Sequence, residues 1–535
     1  MTSPLSLALL AFPPLLLWLR ARGRAEAARA RAPPTAAATA AALAARHGFG
    51  LGGVRRHFHL DFSYAHLNHA SYGAAPRAAI AAAAAAMAGI EAYPDRFMRR
   101  AEEGQAAVAR AADALAAELL RAPPGTTAFV ENATAGVNAV LRSLRLRAGD
   151  VILLTDHTYN ACKNAAVDVA ERTGAVIVTH RMALPLRRGG GGQGSYADGL
   201  VEDYAATLAG IAPGRLAFCL LDHMCVRGPR ARCCAAGSAL HTRPTRPTPP
   251  PPLRPPSSTS PTALVMPVAR LVRAVRQAHS GALVMIDGAH APGMLAELDV
   301  PATGADWYVG NLHKWCFTLK GVALLYAGDG VRESLTQGSI ISHFWRRNFS
   351  QRFFMQGTLD YSRYLGAPAA CEFVRRALGG WRAMQAHNAA LVEAGAQVLE
   401  ARWGGLGRML EPSGALAAEG ITVPFLAVVV TPLAWRQWAV AGDGASSVAG
   451  LGEAAALAAA LADEGLSERI ANAVLAQARV QSVFYLWRVG SEHRLVCRIA
   501  AQVYNTLEEY SVLAEAVLAV HAARQAQQAG AAVEA

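Results

Sequence analysis

The sequence has few features of a metalloprotein, a disulfide-stapled protein or a membrane protein. Its eight cysteines are scattered and form no C-x-x-C pair, so we predict no metal site and expect reduced thiols in a reducing compartment. No run of about 20 apolar residues interrupts the body of the chain, which argues against a transmembrane helix there. With 53% hydrophobic and 17% charged residues over 535 positions, the composition instead predicts a soluble protein of two or more domains.

Acidic residues are scarce in two segments, and these segments account for most of the net charge of +12. Residues 1–47 contain six Arg and one Glu, and residues 225–258 contain six Arg and no acid. A nucleic-acid-binding protein would carry its positive charge on one folded face. Because the charge lies in segments without a folded pattern, we do not expect nucleic acid as a partner.

Residues 1–46 have the composition of a targeting or anchor segment. An apolar run from Pro4 to Leu19 is broken by Pro13 and Pro14, and an Arg- and Ala-rich stretch follows. A secretory signal would place its positive charge before the apolar run, whereas an organelle transit segment is rich in Arg and poor in acids. We predict a disordered transit peptide for a plastid or mitochondrion, with a membrane anchor or a cytoplasmic location as the alternatives.

Strand and helix patterns alternate from about residue 58. Residues 151–155 and 282–293 have the pattern of strands that end in polar turns, and residues 159–173 and 268–281 have helical spacing. This alternation predicts an α/β fold with a mostly parallel sheet covered by helices on both faces. Helical stretches dominate after about residue 366. We therefore predict three folded parts: an N-terminal arm of the small domain (58–90), a large domain (91–365) and a small C-terminal α+β domain (366–535).

Residues 225–258 interrupt the large domain with nine Pro, six Arg and almost no bulky apolar side chain. Such a segment cannot form a core, and we predict that it is disordered. The flanking sequences "LLDHM" and "TSPTALVMPV" would join sensibly without it. The segment is either a lineage-specific loop or a translated intron, and the sequence of the transcript would distinguish the two.

A lysine in an apolar stretch is the first functional candidate. Lys314 lies within "WYVGNLHKWCF" (307–317), and burial lowers the pKa of an amine and makes it a better nucleophile. Asp287 ends an apolar strand, where a doubly wound sheet faces its ligand crevice. A nucleophilic lysine and a carboxylate that keeps a pyridine nitrogen protonated are the pair that pyridoxal phosphate (PLP) requires. Taken alone, each residue has a structural alternative: a lysine that reaches solvent and an aspartate in a turn.

Several motifs spread along the chain resemble one enzyme family. They are "LNHASYGAAP" (67–76), "VENATAGVNAV" (130–140), "DHTYNACKNA" (156–165), "IDGAHAPG" (286–293), "YVGNLHKW" (308–315), "QGTLDYSRYLGAPAA" (356–370) and "CRIAAQVYNTLEEY" (497–510). With these motifs the chain resembles the class V aminotransferases, which are fold-type I PLP enzymes. It is most similar to their isopenicillin N epimerase-like branch and to the plant cysteine desulfhydrases. The resemblance implies a large domain with a seven-stranded sheet.

The resemblance also implies roles for residues around the cofactor. Lys314 would bind the aldehyde carbon covalently and, once released, shuttle the α-proton. Asp287 would pair with the ring nitrogen, and His290 would hydrogen-bond the phenol oxygen of the ring. Three further residues would hold the phosphate, for which the N-terminus of a helix is suited: Thr134, Asn311 and His313.

Other residues would contact the ring face, the neighbouring subunit or the substrate. His157, or alternatively Tyr159, would stack on the ring. Thr358 would reach the phosphate of the neighbouring subunit in a homodimer with shared active sites. Arg498 would pair bidentately with the α-carboxylate of a small amino-acid substrate, next to a second substrate-binding residue, Asn68.

One departure from the family pattern reduces the number of reactions to consider. Family members that extract sulfur as a persulfide carry a cysteine on a loop shortly before the arginine, and residues 479–495 contain none. Cys497 is adjacent to Arg498 in a predicted strand and is badly placed to act as a mobile nucleophile. The sequence therefore favours a C–S lyase that eliminates sulfide directly. Epimerisation or transamination is the alternative, and a non-catalytic scaffold with the same fold is the second alternative.

Overall fold

The computed structural model describes residues 35–50, 52–182, 186–225, 263–408, 416, 418–440, 448, 451–463, 465–489 and 492–534. The strands are β1 Ala65–His66, β2 Thr127–Val130, β3 Val151–Thr155, β4 Val176–His180, β5 Leu216–Asp222, β6 Met224–Cys225, β7 Leu264–Val265, β8 Leu283–Asp287, β9 Trp307–Asn311, β10 Ala323–Ala327, β11 Leu426–Val430, β12 Val480–Gln481, β13 Val483–Val489 and β14 Glu492–Ala500.

The α-helices in the described ranges begin with those before the predicted insertion: α1 Ala36–His47, α2 His69–Tyr72, α3 Arg77–Ala92, α4 Pro94–Arg99, α5 Ala106–Leu120, α6 Ala133–Ser143, α7 Asn160–Thr173 and α8 Tyr196–Ala209. Those after it are α9 Val268–Ala278, α10 Leu312–Trp315, α11 Asp329–Arg332, α12 Phe349–Phe354, α13 Ser362–Ala377, α14 Trp381–Arg402, α15 Glu453–Ala462, α16 Leu466–Ala478 and α17 Leu507–Glu534. None of the described helices is long and apolar enough to cross a membrane.

A seven-stranded sheet forms the centre of the larger domain, in the order β2-β10-β9-β8-β5-β3-β4. Only β10 runs antiparallel to its neighbours, and the other pairs in the sheet are parallel. Both faces of the sheet are buried. Alternate residues of a strand point to opposite sides of a sheet, so each strand contributes to two cores. Ile152 and Leu154 pack with Val137 of α6 on one face, whereas Val151 and Leu153 join the core on the other. The predicted α/β class with a mostly parallel seven-stranded sheet is confirmed.

A smaller antiparallel sheet, β11-β14-β13, lies in the C-terminal part of the chain. Helices α14 and α16 pack against it, and α17 packs against both helices. The N-terminal arm joins this part through β1, which pairs in parallel with β12. The same arm continues into α3, which packs against α13. The arm therefore connects the two domains.

The predicted boundary at residue 365 falls inside α13, which packs against α3 of the arm and α5 of the larger part. The sequence offers no break there because the change to mainly helical sequence is gradual. The chain leaves the larger part only after this helix.

Part of the segment predicted to be disordered is helical. Helix α1 begins at a cap in which the Thr35 side chain accepts a hydrogen bond from the Ala38 amide, and it ends at Gly48 in a left-handed conformation. Alanine favours helix, and the helix is held by packing against α14, with Ala40 buried. The prediction of disorder over 1–46 was therefore wrong for residues 36–46, and residues 1–34 lie outside the described residues.

The strands that flank the predicted insertion lie side by side. Strand β6 pairs antiparallel with β7, with Met224 opposite Val265. The elements on either side of the insertion therefore form one hairpin-like pair, as expected if the flanking sequences belong together. Residues 226–258 of the insertion lie outside the described residues.

Candidate active site

A cavity of about 490 Å³ lies at the carboxyl ends of β5, β8 and β9, beside Arg498 of β14. It brings together most of the residues predicted from the sequence. Those that line it are Thr134, His157, Tyr159, Asp287, His290, Asn311, His313, Lys314 and Arg498. The two other predicted residues, Asn68 and Thr358, do not line it.

Two aspartates close adjacent parallel strands at the floor of the cavity. Asp222 of β5 is in register with Asp287 of β8. Asp287 accepts hydrogen bonds from the Ala289 amide at 3.0 Å and from the thiol of Cys162 at 3.4 Å, and burial raises its pKa. Burial, and then the neighbouring Asp287, raises the pKa of Asp222 to about 6. A buried carboxylate of this kind is stabilised by a cationic or N–H partner.

Lys314 presents its amine to the same cavity from the short helix α10. Its Nζ lies 2.9 Å from Nε2 of His290. Burial lowers the pKa of Lys314 to about 8, and Arg498 acts in the same direction, whereas Asp287 opposes the shift. The unprotonated amine, which is the form that acts as a nucleophile, is therefore far more populated near neutral pH than in an exposed lysine.

The backbone around Lys314 is held from two sides. His69 forms hydrogen bonds through both ring nitrogens. Its Nε2 lies 2.7 Å from the Lys314 carbonyl oxygen, and its Nδ1 lies 2.6 Å from the hydroxyl of Tyr504. Since a carbonyl only accepts, Nε2 of His69 is the donor to Lys314. Gly73 lies so close to α10 that a Cβ atom there would be 1.7 Å from the carbonyl oxygen of His313. The N-terminal arm thus fixes the position of the lysine.

The N-terminus of α6 forms the polar end of the cavity. The amide of Ala133 donates to Oδ1 of Asn311 at 2.9 Å and that of Ala135 to the capping Asn132, while the intervening Thr134 amide has no acceptor among the described residues. Gly136 lets the helix lie close to β9, since a Cβ atom there would be 2.7 Å from Val309. Helix N-termini of this kind bind phosphate.

His313 lies at the same end. Its Nδ1 is 3.2 Å from the carbonyl oxygen of Val322 and therefore carries the proton that bonds to it. Burial and the adjacent Lys314 lower the pKa of His313 to about 4. The ring is thus neutral and fixed in orientation beside the lysine.

Arg498 provides a buried positive charge on the other side of the cavity. Its Nη2 donates to Oδ1 of Asn68 at 2.7 Å and to Oγ of Ser71 at 2.9 Å. No carboxylate within the described residues forms an ion pair with it, although the residue is only 3% exposed. A buried guanidinium held by neutral partners is suited to an anionic ligand such as a carboxylate. Asn68 thus orients Arg498 instead of lining the cavity.

Of the two candidates for ring stacking, His157 is the more firmly held. It is buried, with Nδ1 2.7 Å from Oδ1 of Asp156, and its Nε2 has no hydrogen-bond partner among the described residues. Tyr159 lies at the rim and is 37% exposed. Both rings line the cavity, so the structure leaves the two roles as predicted alternatives.

Thr358 is exposed in the single chain and does not line the cavity. The predicted role for it depends on a neighbouring subunit and stays a prediction. No group of three or more His, Cys, Asp or Glu side chains in the described ranges could hold a metal ion.

The residues present fit PLP. The cavity combines an amine with a lowered pKa, a buried carboxylate, a helix N-terminus with a free amide and an uncompensated guanidinium. These match the aldehyde, the pyridine nitrogen, the phosphate and the carboxylate of an amino-acid substrate, in that order.

Sequence analysis missed three residues at this site. Asp222 follows the same strand-end rule as Asp287 and could have been found from "LLDH". No local rule predicts the roles of Ser71 and His69, because their hydrogen-bond partners lie more than 400 positions away or in another element. Their place in the "LNHASYG" motif was the only available signal.

The chain matches the family model of the class-V aminotransferases over residues 66–184 and 258–416, together more than half of its length. The gap between the two matched regions, 185–257, contains all but the last residue of the predicted insertion. A relative from Oryza sativa subsp. japonica, "Putative L-cysteine desulfhydrase 2", is 26% identical over 381 residues, covering 69% of this chain and 70% of the relative. The isopenicillin N epimerase of Streptomyces clavuligerus is 28% identical over 330 residues, covering 59% of this chain and 70% of the relative.

Solved structures share the fold. A mutant of C-DES with glycine covalently linked to its PLP cofactor has a TM-score of 0.55 and 19% sequence identity, covering 85% of this chain and 96% of that one. The family resemblance predicted from the sequence is confirmed by the family model and the relatives, and the solved structure confirms the fold.

Proposed function

The chain belongs to the aminotransferase class-V family, and on that premise we propose that it is a PLP-dependent C–S lyase acting on L-cysteine or a related thioether amino acid. One observation carries the proposal: Lys314, Asp287 and an Arg498 without a carboxylate partner among the described residues line a single cavity. The similarity to a relative named as an L-cysteine desulfhydrase supports the choice of substrate.

The residues that would hold the cofactor follow from the geometry. Lys314 would bind its aldehyde carbon, Asp287 its ring nitrogen and His290 its phenol oxygen. Thr134, with Asn311 and His313 beside it, would hold the phosphate. When bound, PLP supplies an electrophilic carbon and a ring that withdraws electrons from the α-carbon of the substrate.

The protein groups would then orient the substrate and move protons. Arg498 holds the α-carboxylate, and Nζ of Lys314 takes the proton from the α-carbon and delivers a proton to the departing sulfur. In the net reaction, L-cysteine and water give pyruvate, ammonia and hydrogen sulfide. The Cα–H, Cβ–S and Cα–N bonds break, water supplies the ketone oxygen of pyruvate, and no oxidant or reductant is required.

Direct elimination requires no thiol nucleophile. Cys497, the cysteine nearest to Arg498 in sequence, is fully buried in β14, and burial raises its pKa to about 12. It is therefore a thiol at neutral pH and cannot reach a substrate. This supports direct elimination over a persulfide mechanism. Epimerisation remains the second candidate, favoured by the similarity to isopenicillin N epimerase.

We also propose that the enzyme is a homodimer. The connection between α11 and α12 exposes Ile340, Ile341 and Trp345 at 57%, 61% and 43%. Gln356 ties this connection to the segment containing Thr358, since its Oε1 accepts from the Ile340 amide at 3.2 Å. A second subunit would cover the apolar surface and bring Thr358 to its active site. Ile341→Glu should give a monomer in light scattering, and a dimer that survives this change would contradict the proposal.

A transit function for the first 46 residues stays a proposal. A fluorescent protein carrying these residues should enter a plastid or mitochondrion. A diffuse cytosolic signal would contradict it.

The function is tested with the full chain and added PLP. Incubation with L-cysteine should give equal amounts of sulfide and pyruvate, and Lys314→Ala should lower the rate by about 10²–10⁴-fold. Lys320→Ala removes an exposed lysine six residues later and should leave the rate unchanged. Bound cofactor without sulfide would favour epimerisation or transamination of another amino acid. Absence of cofactor binding would favour the non-catalytic scaffold.

A further inference from the structure

Both ring nitrogens of His290 have partners in the cavity wall. Its Nε2 lies 2.9 Å from Nζ of Lys314, and its Nδ1 lies 3.4 Å from Nε1 of Trp315. The lysine and the tryptophan are consecutive residues of α10, so one short helix contacts the ring at two points.

The chemistry of the tryptophan decides where the proton of His290 lies. An indole N–H can only donate, so Nδ1 of His290 must accept and carries no proton. A neutral imidazole has one proton, which is therefore on Nε2. Burial and the neighbouring Lys314 keep the pKa of His290 well below its usual value, which agrees with a neutral ring.

We propose that Trp315 is a positioning residue that locks His290 in the tautomer protonated at Nε2. The N–H of His290 then donates to Nζ of Lys314 when the lysine is an unprotonated amine, the form that predominates above a pH of about 8. The same N–H is available to an oxygen of a bound cofactor. This last step rests on the proposed function, whereas the lock itself does not.

The fold holds Trp315 in the orientation that the lock needs. Its side chain is fully buried, with ring centroids 5.3 Å from Phe425 and 4.9 Å from His69. Its backbone lies against Gly293, where a Cβ atom would be 2.7 Å from the Trp315 carbonyl oxygen. Gly293 adopts a left-handed φ of +77° and ends the turn that carries His290. Both partners of the hydrogen bond are thus fixed by packing.

The lock acts on Lys314 together with the charges around it. Asp287 and Cys162 favour the ammonium form of Lys314, whereas Arg498 opposes it; His313, whose pKa is lowered to about 4, is uncharged near neutral pH. Asp222 adds a further carboxylate to the cavity. A donating His290 adds to the effect of burial and Arg498. Without the lock, the proton of His290 could lie on Nδ1. The unprotonated Nε2 would then accept a hydrogen bond from the ammonium of Lys314 and stabilise its charge.

The first test observes the tautomer directly. Cofactor-free protein labelled with ¹⁵N-histidine should show His290 protonated at Nε2 and unprotonated at Nδ1 by NMR, with His290→Gln used to assign the signals. A proton on Nδ1, or averaging between the two tautomers, would overturn the proposal. This test needs no variant of Trp315.

The second test removes only the indole N–H. Trp315→Phe should release the tautomer and raise the pKa of Lys314 by about one unit, which slows amine labelling about tenfold below that pKa. Because the chain has three lysines, mass spectrometry can follow Lys314 with Lys163 and Lys320 as internal references. Folded Trp315→Phe with an unchanged tautomer and an unchanged pKa of Lys314 would contradict the proposal.

Trp307→Phe is the matched control. Trp307 is equally buried and donates its indole N–H to Thr336 at 2.7 Å, away from His290. It should leave Lys314 labelling unchanged. Neither test uses a substrate, so a protein without lyase activity could still show the lock, and an active lyase could still lack it.

Discussion

The two ends of the cavity are built in different ways. At the cofactor end, Asp222, Asp287 and Asn311 each close a strand of one sheet, and the parallel order of these strands brings them together. At the substrate end, Arg498 meets Asn68 and Ser71, which lie 430 and 427 positions earlier in the chain. The first end is a consequence of strand topology, whereas the second depends on how the N-terminal arm contacts the small domain.

This difference extends to the charges. The carboxylates of the cofactor end are buried with hydrogen-bond donors around them; Asp222, for example, accepts from Thr155 and Thr158 at 3.0 Å. Arg498 has only neutral partners among the described residues. Changes at the cofactor end should therefore affect the chemical step, and changes at the substrate end should affect substrate binding.

After the loss of Lys314 itself, the largest effect is expected from Asp287→Asn. An amide cannot keep a pyridine nitrogen protonated, so kcat should fall by about 10²–10³-fold. Asp222→Asn removes the adjacent carboxylate in the same register and should reduce kcat by about tenfold at most. The kcat of both variants is measured by steady-state kinetics. Equal losses of kcat would show that the two carboxylates share one role.

Arg498→Lys should weaken substrate binding without affecting the cofactor end. A lysine lacks the fork that contacts Asn68, Ser71 and a carboxylate together, so KM should rise roughly 10–100-fold while cofactor content stays unchanged. Arg494→Lys is the control, because this arginine of β14 pairs with Glu492 at the surface. Loss of cofactor from Arg498→Lys would mean that the two ends are not separable.

Gly73→Ala tests the contact that joins the two ends. The new Cβ atom would meet the His313 carbonyl, and the residue has a left-handed φ of +66°. We expect a loss of about 2 kcal/mol or more in the free energy of unfolding. Gly52→Ala has a similar φ of +76° with nothing within 4 Å, so it reports the backbone strain alone. Similar losses in thermal unfolding would show that the close approach has no energetic importance.

The smallest effect is expected from a change in pH, which should affect the cofactor end only. Lys314 reacts with an aldehyde as the free amine, so the rate of PLP binding should rise about tenfold per unit of pH below about 8 and level off above it. The guanidinium of Arg498 stays charged throughout this range. A rate of PLP binding that is flat from pH 6 to pH 9 in stopped-flow absorbance would place the pKa of Lys314 elsewhere.

The pattern of correct and wrong predictions follows the same division. The strands ending at Asp287 and the position of Lys314 could be predicted, because strand ends and apolar context are local properties of the sequence. Asp222 obeyed the same rule and was overlooked. The prediction of disorder fails at helix α1, because its Ala-rich sequence becomes a stable helix only through packing against α14.

The sequence by itself determined the α/β class, the family and the chemical identity of the cavity residues, because periodicity and motif spacing are encoded locally. Only the tertiary structure decided that Asn68 and Ser71 hold Arg498, that His69 and Gly73 fix the Lys314 helix, and that Trp315 reaches His290. Most of these contacts join segments far apart in sequence. The direction of a side chain at such a contact depends on the packing of whole elements, which no local pattern specifies.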